Sequence, residues 1–237
     1  MKDTTKALVL GKIAVGEKGH ILRLWTRKYG PQAYIIHSIR SNKNGIRPAV
    51  LLPMTFINAT VHHSNNGGLE KIKEVDVAKI WHRLTTNHIR QTLCLFSAEI
   101  LQKTLQNGDA SFAFFDDFMV MLERWDTSNV NLAMSANEML LLVWKHLGFN
   151  IDSRDYGDGY VLDLREGVFV SNPPTNSDFI SPETSKELVD WFRDRNKLVS
   201  KIARLEITDG LVLGLKWHYP SLGKINSLEI LRAITSV

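Results

Sequence analysis

The chain has 237 residues, 44% of them hydrophobic, which is enough for one large domain or two modest ones with a real core. Its single cysteine, Cys94, excludes an internal disulfide or a Cys-rich zinc site. No apolar run reaches the roughly 18 residues of a membrane span, and Lys12 interrupts the only apolar stretch near the N-terminus, so a cytoplasmic protein with no membrane contact is expected. The formal net charge of +4 is segregated, with +8 on residues 1–50, none on 51–80 and −4 on 81–237, an asymmetry that points to a polyanionic partner for the first fifty residues.

The first eighty residues read as short strands between turn signals. "KALVLGKIAV", "HILRLWTR" and "AYIIHSI" are separated by the turns "GEKG" and "KYGPQ". "LLPMTFINATVHH" follows the basic loop "RSNKNGIRP", and "LEKIKEVDVA" follows "NNGG". Five strands in about 75 residues suit a small closed barrel, and the OB-fold is the five-stranded Greek-key barrel that binds oligonucleotides. An SH3-like barrel would give much the same string.

From about Trp81 the period changes to that of a helix. Ile89, Leu93, Phe96, Ile100, Leu101 and Leu105 recur at helical spacing, and Gly108 supplies a stop signal. "SFAFFDDFMVMLERWD" and "SANEMLLLVWKHLGF" read as two more helices, the second nearly apolar all round at Leu140 to Val143 and closed by Gly148. Residues 150–175 are loop and hairpin material. Ser181 and Pro182 then open a helix as cap and first position, and "KLVSKIARLEITDGLVLGLKWHYP" and "NSLEILRAI" complete the helical half. The expected organisation is α+β: an OB-fold, nucleic-acid-binding domain over 1–80 and a mostly α-helical domain over 81–237, with a short insertion around 150–175.

On the second strand Ile21, Arg23, Trp25 and Arg27 share one face, because side chains alternate. Cations flanking a ring would join phosphate neutralisation to base stacking, the two ingredients of sequence-tolerant single-strand binding. The candidate DNA contacts are Lys12, Arg23, Trp25, Arg27, Lys28, Arg40, Lys43 and Arg47. For Trp25 the alternative is packing against the helical half, and Tyr29 and Tyr34 carry less signal. The nucleotide-binding run G-x-x-x-x-G-K-[ST] is absent and "GDGYVL" lacks the third glycine of a dinucleotide loop, so no cofactor is expected. Asp152, Asp155 and Asp158, spaced by three, do not match an EF-hand loop and read as solvated. Asp116 and Asp117 read as a helix's exposed side, His62, His63 and His218 as barrel-rim and helix-end residues, and Cys94 as a buried thiol.

The string of elements, taken in order, resembles the bacterial RecO family of recombination mediators from about Lys6 to Ile234. The pieces are "ALVL", "LWTRKYG" with Thr26 and Gly30, "SIRS" with Arg40 and Ser41, and "LLPM" with Pro53. Further on come "FSAEILQKTL" with Glu99, "SFAFFDDF", "KHLGF" with Leu147 and Gly148, "DLREGVF", and "NSLEIL" with Ser227. The resemblance implies an OB-fold on a helical domain and a nucleoid-associated protein that binds single- and double-stranded DNA and anneals complementary strands. It also implies contacts to RecR and to the acidic C-terminal tail of the single-stranded DNA-binding protein, so that RecA can load. Two features depart from the family: "NIDSRDYGDGY" lacks the four-cysteine zinc module many relatives carry there, so no zinc is expected, and the last helix begins Asn226-Ser227 rather than Lys-Ser. For the partner tail, Arg124, Trp125 and Lys145 are the candidates.

The expectation is a non-enzymatic mediator working without ATP. A metal-dependent nuclease that uses the barrel for docking and draws on Asp116, Asp152, Asp155 and Asp158 is the rival. An adaptor whose basic face meets an acidic protein is a third reading.

Overall fold

The computed structural model describes residues 2–15, 19–36, 48–62, 70–106, 110–127 and 129–235. The N-terminal strands are β1 (Lys2–Val15), β2 (Gly19–Thr26), β3 (Gly30–Ile36), β4 (Phe56–His62) and β5 (Glu70–Lys79). They close into a barrel in the order β1-β2-β3-β5-β4, with β4 returning to β1. All ladders are antiparallel except β3 with β5, a parallel contact at Tyr34–Glu70 and Ile35–Lys71. This is the OB-fold, and it sets the SH3-like alternative aside.

The β2–β3 turn shows why the sequence turns there. Tyr29 N–H donates to Thr26 Oγ1, the Thr26 hydroxyl donates to the Gly30 carbonyl, both at 2.9 Å, and Gly30 takes a positive φ of 68° that only glycine adopts cheaply. Inside the barrel lie Ala7, Val9, Leu22, Leu24, Tyr34, Ile36, Leu51, Ile57, Ala59 and Val61. Leu8, Leu10 and Trp25 point the other way and are buried too. The unbroken apolar run "ALVL" therefore belongs to a strand covered on both faces.

The cover comes from α1 (His88–Thr104) and α2 (Phe112–Trp125). Asn87 caps α1, accepting from Arg90 N–H, so the segment from Trp81 to Thr86 is a turn rather than the helix start its periodicity implied. Asp126 holds that turn by accepting the backbone N–H groups of His82, Arg83 and Leu84 at 2.7–3.1 Å. Helix α1 stops at Thr104; Gly108, expected as its cap, lies outside the described residues. Buried Arg90 donates to the carbonyls of Trp125 and Thr127, satisfying the end of α2. These elements and α6 (Asn226–Thr235) form one compact unit of residues 1–128 and 225–237.

Residues 129–224 form the second unit, with α3 (Ser135–His146), the small sheet of β6 (Val161–Asp163), β7 (Val168–Val170) and β8 (Phe179–Ile180), then α4 (Pro182–Arg193) and α5 (Lys201–His218). Ser181 caps α4 and Pro182 is its first residue, as the sequence indicated, and Gly148 closes the end of α3 with a positive φ. Trp144 donates from Nε1 to the Leu211 carbonyl at 3.1 Å. A Cβ at Gly214 would stand 2.3 Å from the Trp144 ring, so only glycine admits this approach of α3 and α5.

Candidate nucleic-acid interface

β2 enters the site with one face turned toward the helices. Trp25 is 1% exposed and packs against Phe114, Phe115 and Phe118 of α2 at centroid distances of 4.8, 5.0 and 5.3 Å. The expectation that Trp25 offers a stacking platform to bases is thereby corrected. A tryptophan gains more from burial against three phenylalanines than from exposure beside two arginines.

The cations around it stay outside. Arg23 is exposed, and its Nη1 stands 3.5 Å from Gln102 Oε1 of α1, whose own Nε2 donates to the Leu10 carbonyl at 2.7 Å. Lys12 is exposed at the far end of β1 and makes no ion pair among the described residues. Arg27 presents Nε and Nη2 to the two carboxylate oxygens of Asp116, each at 2.7 Å, and its guanidinium lies 4.9 Å from the Phe112 ring centroid. Lys28 donates to Asp3, as does the Tyr29 hydroxyl, and its ammonium lies 5.2 Å from the Tyr29 ring centroid. Tyr34 is sealed in the barrel core, where burial and then the Glu70 charge push its hydroxyl well above the ordinary value. Arg40, Lys43 and Arg47 lie outside the described residues, as does His63.

These pairings set the local electrostatics. The Lys28 ammonium, then the Tyr29 hydroxyl and the Thr4 N–H, hold the Asp3 carboxyl down at about 2. Arg27 holds Asp116 below the usual carboxylate range, with a smaller contribution from Lys6, and the same pair raises Arg27. Arg27 and Asp116 keep much of their side chains in water, so that pair contributes little to stability and is open to exchange with another anion, whereas Asp3 is part-buried beneath the exposed Lys28.

A trough runs beside the exposed end of β1. Lys12, Leu52 and Pro53, Leu95 and Gln102 of α1, and Asn226, Ser227 and Ile230 of α6 line it. Its floor is fixed by Glu99, whose carboxylate accepts Asn226 N–H at 3.0 Å, Ser227 N–H at 2.8 Å and the Ser227 hydroxyl at 2.6 Å. Burial raises the Glu99 carboxyl, but the Ser227 and Asn226 donors and Lys103 outweigh it and leave the group below its ordinary value. The sequence offered Glu99 and Ser227 only as pieces of a pattern; a carboxylate capping a helix about 130 positions away leaves no local signal.

Trp125, expected to line a groove for a peptide tail, is fully buried inside its unit, and its Nε1 has no partner among the described residues, which corrects that expectation. Arg124 is exposed on α2, and Lys145 is exposed on α3 in the other unit. Asp116 and Asp117 are both exposed on α2. Asp152 pairs with Arg154, whose Nε donates at 2.8 Å. Among the described residues no three His, Cys, Asp or Glu side chains stand close enough to share a metal ion, and no helix is long and apolar enough to cross a membrane. Burial, then the Asp126 charge, pushes the Cys94 thiol up to about 12, so this cysteine is an inert part of the α1 core.

Residues 1–81 match a family model described as "Recombination protein O N terminal". Over its whole length the chain is similar to proteins named DNA repair protein RecO. It is 27% identical to that of Flavobacterium psychrophilum and 26% identical to that of Flavobacterium johnsoniae, with both chains covered completely in each comparison. It is 23% identical to that of Azobacteroides pseudotrichonymphae, over 97% of this chain and 98% of the relative.

Proposed function

We propose that the chain, whose residues 1–81 match the family model and whose whole length is similar to proteins named DNA repair protein RecO, is a member of the RecO family and a mediator that binds DNA without cleaving it. It holds single and double strands by their backbones, lowers the repulsion between complementary strands so that they anneal, and needs no ATP. It works beside the nucleoid with RecR and with the acidic tail of the single-stranded DNA-binding protein, so that RecA loads on the strand they release. The observation that carries this reading is the row of cations Lys12, Arg23 and Lys28, all exposed, and Arg27, partly exposed, along β1, β2 and the turn after it. With Trp25 packed inward, the row can grip phosphates but offers no tryptophan to stack on bases, so binding has little dependence on base sequence. Supporting a role without chemistry, Asp116 and Asp152 of the rival nuclease set are each held by an arginine.

The test is a salt titration of the full chain on a labelled single-stranded oligonucleotide. Replacing both Lys12 and Arg23 by Glu should weaken binding at least about tenfold and flatten the log–log salt slope by about 1.4, from roughly 0.7 per phosphate contact. Thermal unfolding should hardly move, since both side chains are exposed. An unchanged slope would remove the phosphate grip, and cleavage of the oligonucleotide in Mg²⁺ would turn the assignment toward a nuclease.

A further inference from the structure

Resting on the DNA-binding reading above, we propose that Asp116 and Asp3 are built-in counter-anions of the cationic row. Each occupies the place of a phosphate on its cation in the free protein and has to be displaced, so these two carboxylates set DNA affinity and salt response. The row contains two kinds of cation. Among the described residues Lys12 and Arg23 have no carboxylate on them, whereas Arg27 and Lys28 are each neutralised by one.

The Arg27–Asp116 geometry is the one a phosphate would use. Two parallel N–H···O bonds of 2.7 Å join Nε and Nη2 to the two carboxylate oxygens, the bidentate fork by which arginine takes either anion. The pair keeps 40% and 52% of its side-chain surface in water, so exchange does not require the fold to open. The Phe112 ring beside the guanidinium keeps the fork aimed after the carboxylate leaves. Asp3 takes Lys28 and the Tyr29 hydroxyl together, and Tyr29 also flanks the Lys28 ammonium.

A phosphate that approaches Arg27 therefore meets a pair of zero net charge and has to repel or evict Asp116. The salt slope counts cations that gain a phosphate, and a cation already carrying an anion adds little to it. Removing the carboxylate should convert a masked cation into a counted one.

The experiment uses the full chain and a labelled single-stranded oligonucleotide titrated over a range of salt. Asp116→Asn should bind about two- to fivefold tighter at low salt, the range of an exposed charge pair. Its log–log slope should steepen by about 0.7, and that of the Asp3→Asn, Asp116→Asn double variant by about 1.4. Asp116→Glu, which keeps the anion, should steepen the slope less than Asp116→Asn does. Asp190→Asn serves as the control, because it removes the same charge from an exposed pair with Lys186 in the second unit. If the wild type binds in a salt-dependent way but Asp116→Asn and the double variant match it, or Asp190→Asn shifts as far, the counter-anion role is overturned and the DNA-binding reading stands. If the wild type shows no salt-dependent binding, both fall.

Discussion

Arg23, Trp25 and Arg27 leave β2 on one side, and the sequence was legible that far. It did not reveal what that side faces. The residues that decide it, Phe114, Phe115 and Phe118, lie about ninety positions further on, in a segment whose own pattern said only that it was a helix. An alternating strand pattern reports which side chains travel together, not whether water or another element meets them. Trp25→Ala should therefore lower stability by about 3–5 kcal/mol, the usual cost of truncating a large buried aromatic, as read by urea denaturation. Trp25→Phe should retain DNA affinity, since the ring contacts protein rather than bases; loss of binding by a stably folded Trp25→Phe would restore the stacking role.

Among the elements, those with strong local signals matched well. The helix that opens at Ser181–Pro182, the hairpin of "DLREGVF" and the stop at Gly148 all stand where cap and turn residues put them. The start of α1 was misplaced because Trp81 and Leu84 are buried at a spacing that mimics a helix, while the segment is a turn held by Asp126. The docking of α6 was not legible, since it rests on Glu99 reaching across to Asn226 and Ser227. Glu99→Ala should cost about 1–2 kcal/mol at neutral pH, the range for a lost helix cap. The sign of its pH dependence comes from the lowered carboxyl. The cap's contribution is present in full above the ordinary Glu value of about 4.3 and fades as pH falls through the depressed folded value. Wild type and Glu99→Ala should thus converge in urea midpoint as pH drops below about 4, and a gap that stays constant into acid would mean that the carboxylate charge is not what holds α6.

At the scale of the whole molecule, the sequence located the OB barrel and the mostly helical character of residues 81–237, but not which helices complete the barrel's unit. Trp25, Leu8 and Leu10 need α1 and α2 over them, and α1 in turn packs against α6. Residues 1–128 alone would leave the places of Ile225, Leu228 and Leu231 empty. Deleting 225–237 should cost about 5 kcal/mol or more, from roughly 1.5–3 kcal/mol per buried aliphatic side chain. Residues 129–224, which carry their own core, should give a cooperative unfolding transition by themselves. A sharp transition of unchanged midpoint in the chain lacking 225–237 would show that α6 is dispensable to the barrel.

That the barrel's unit is made of two stretches of chain also fixes an order in time. A ribosome has to add the 96 residues of 129–224 before α6 exists, which at 5–20 residues per second is a wait of about 5–20 s. Throughout that interval the newborn barrel carries a greasy flank on α1 with nothing over it. A helper that shields nascent chains, or a neighbouring segment standing in for α6, would have its moment then.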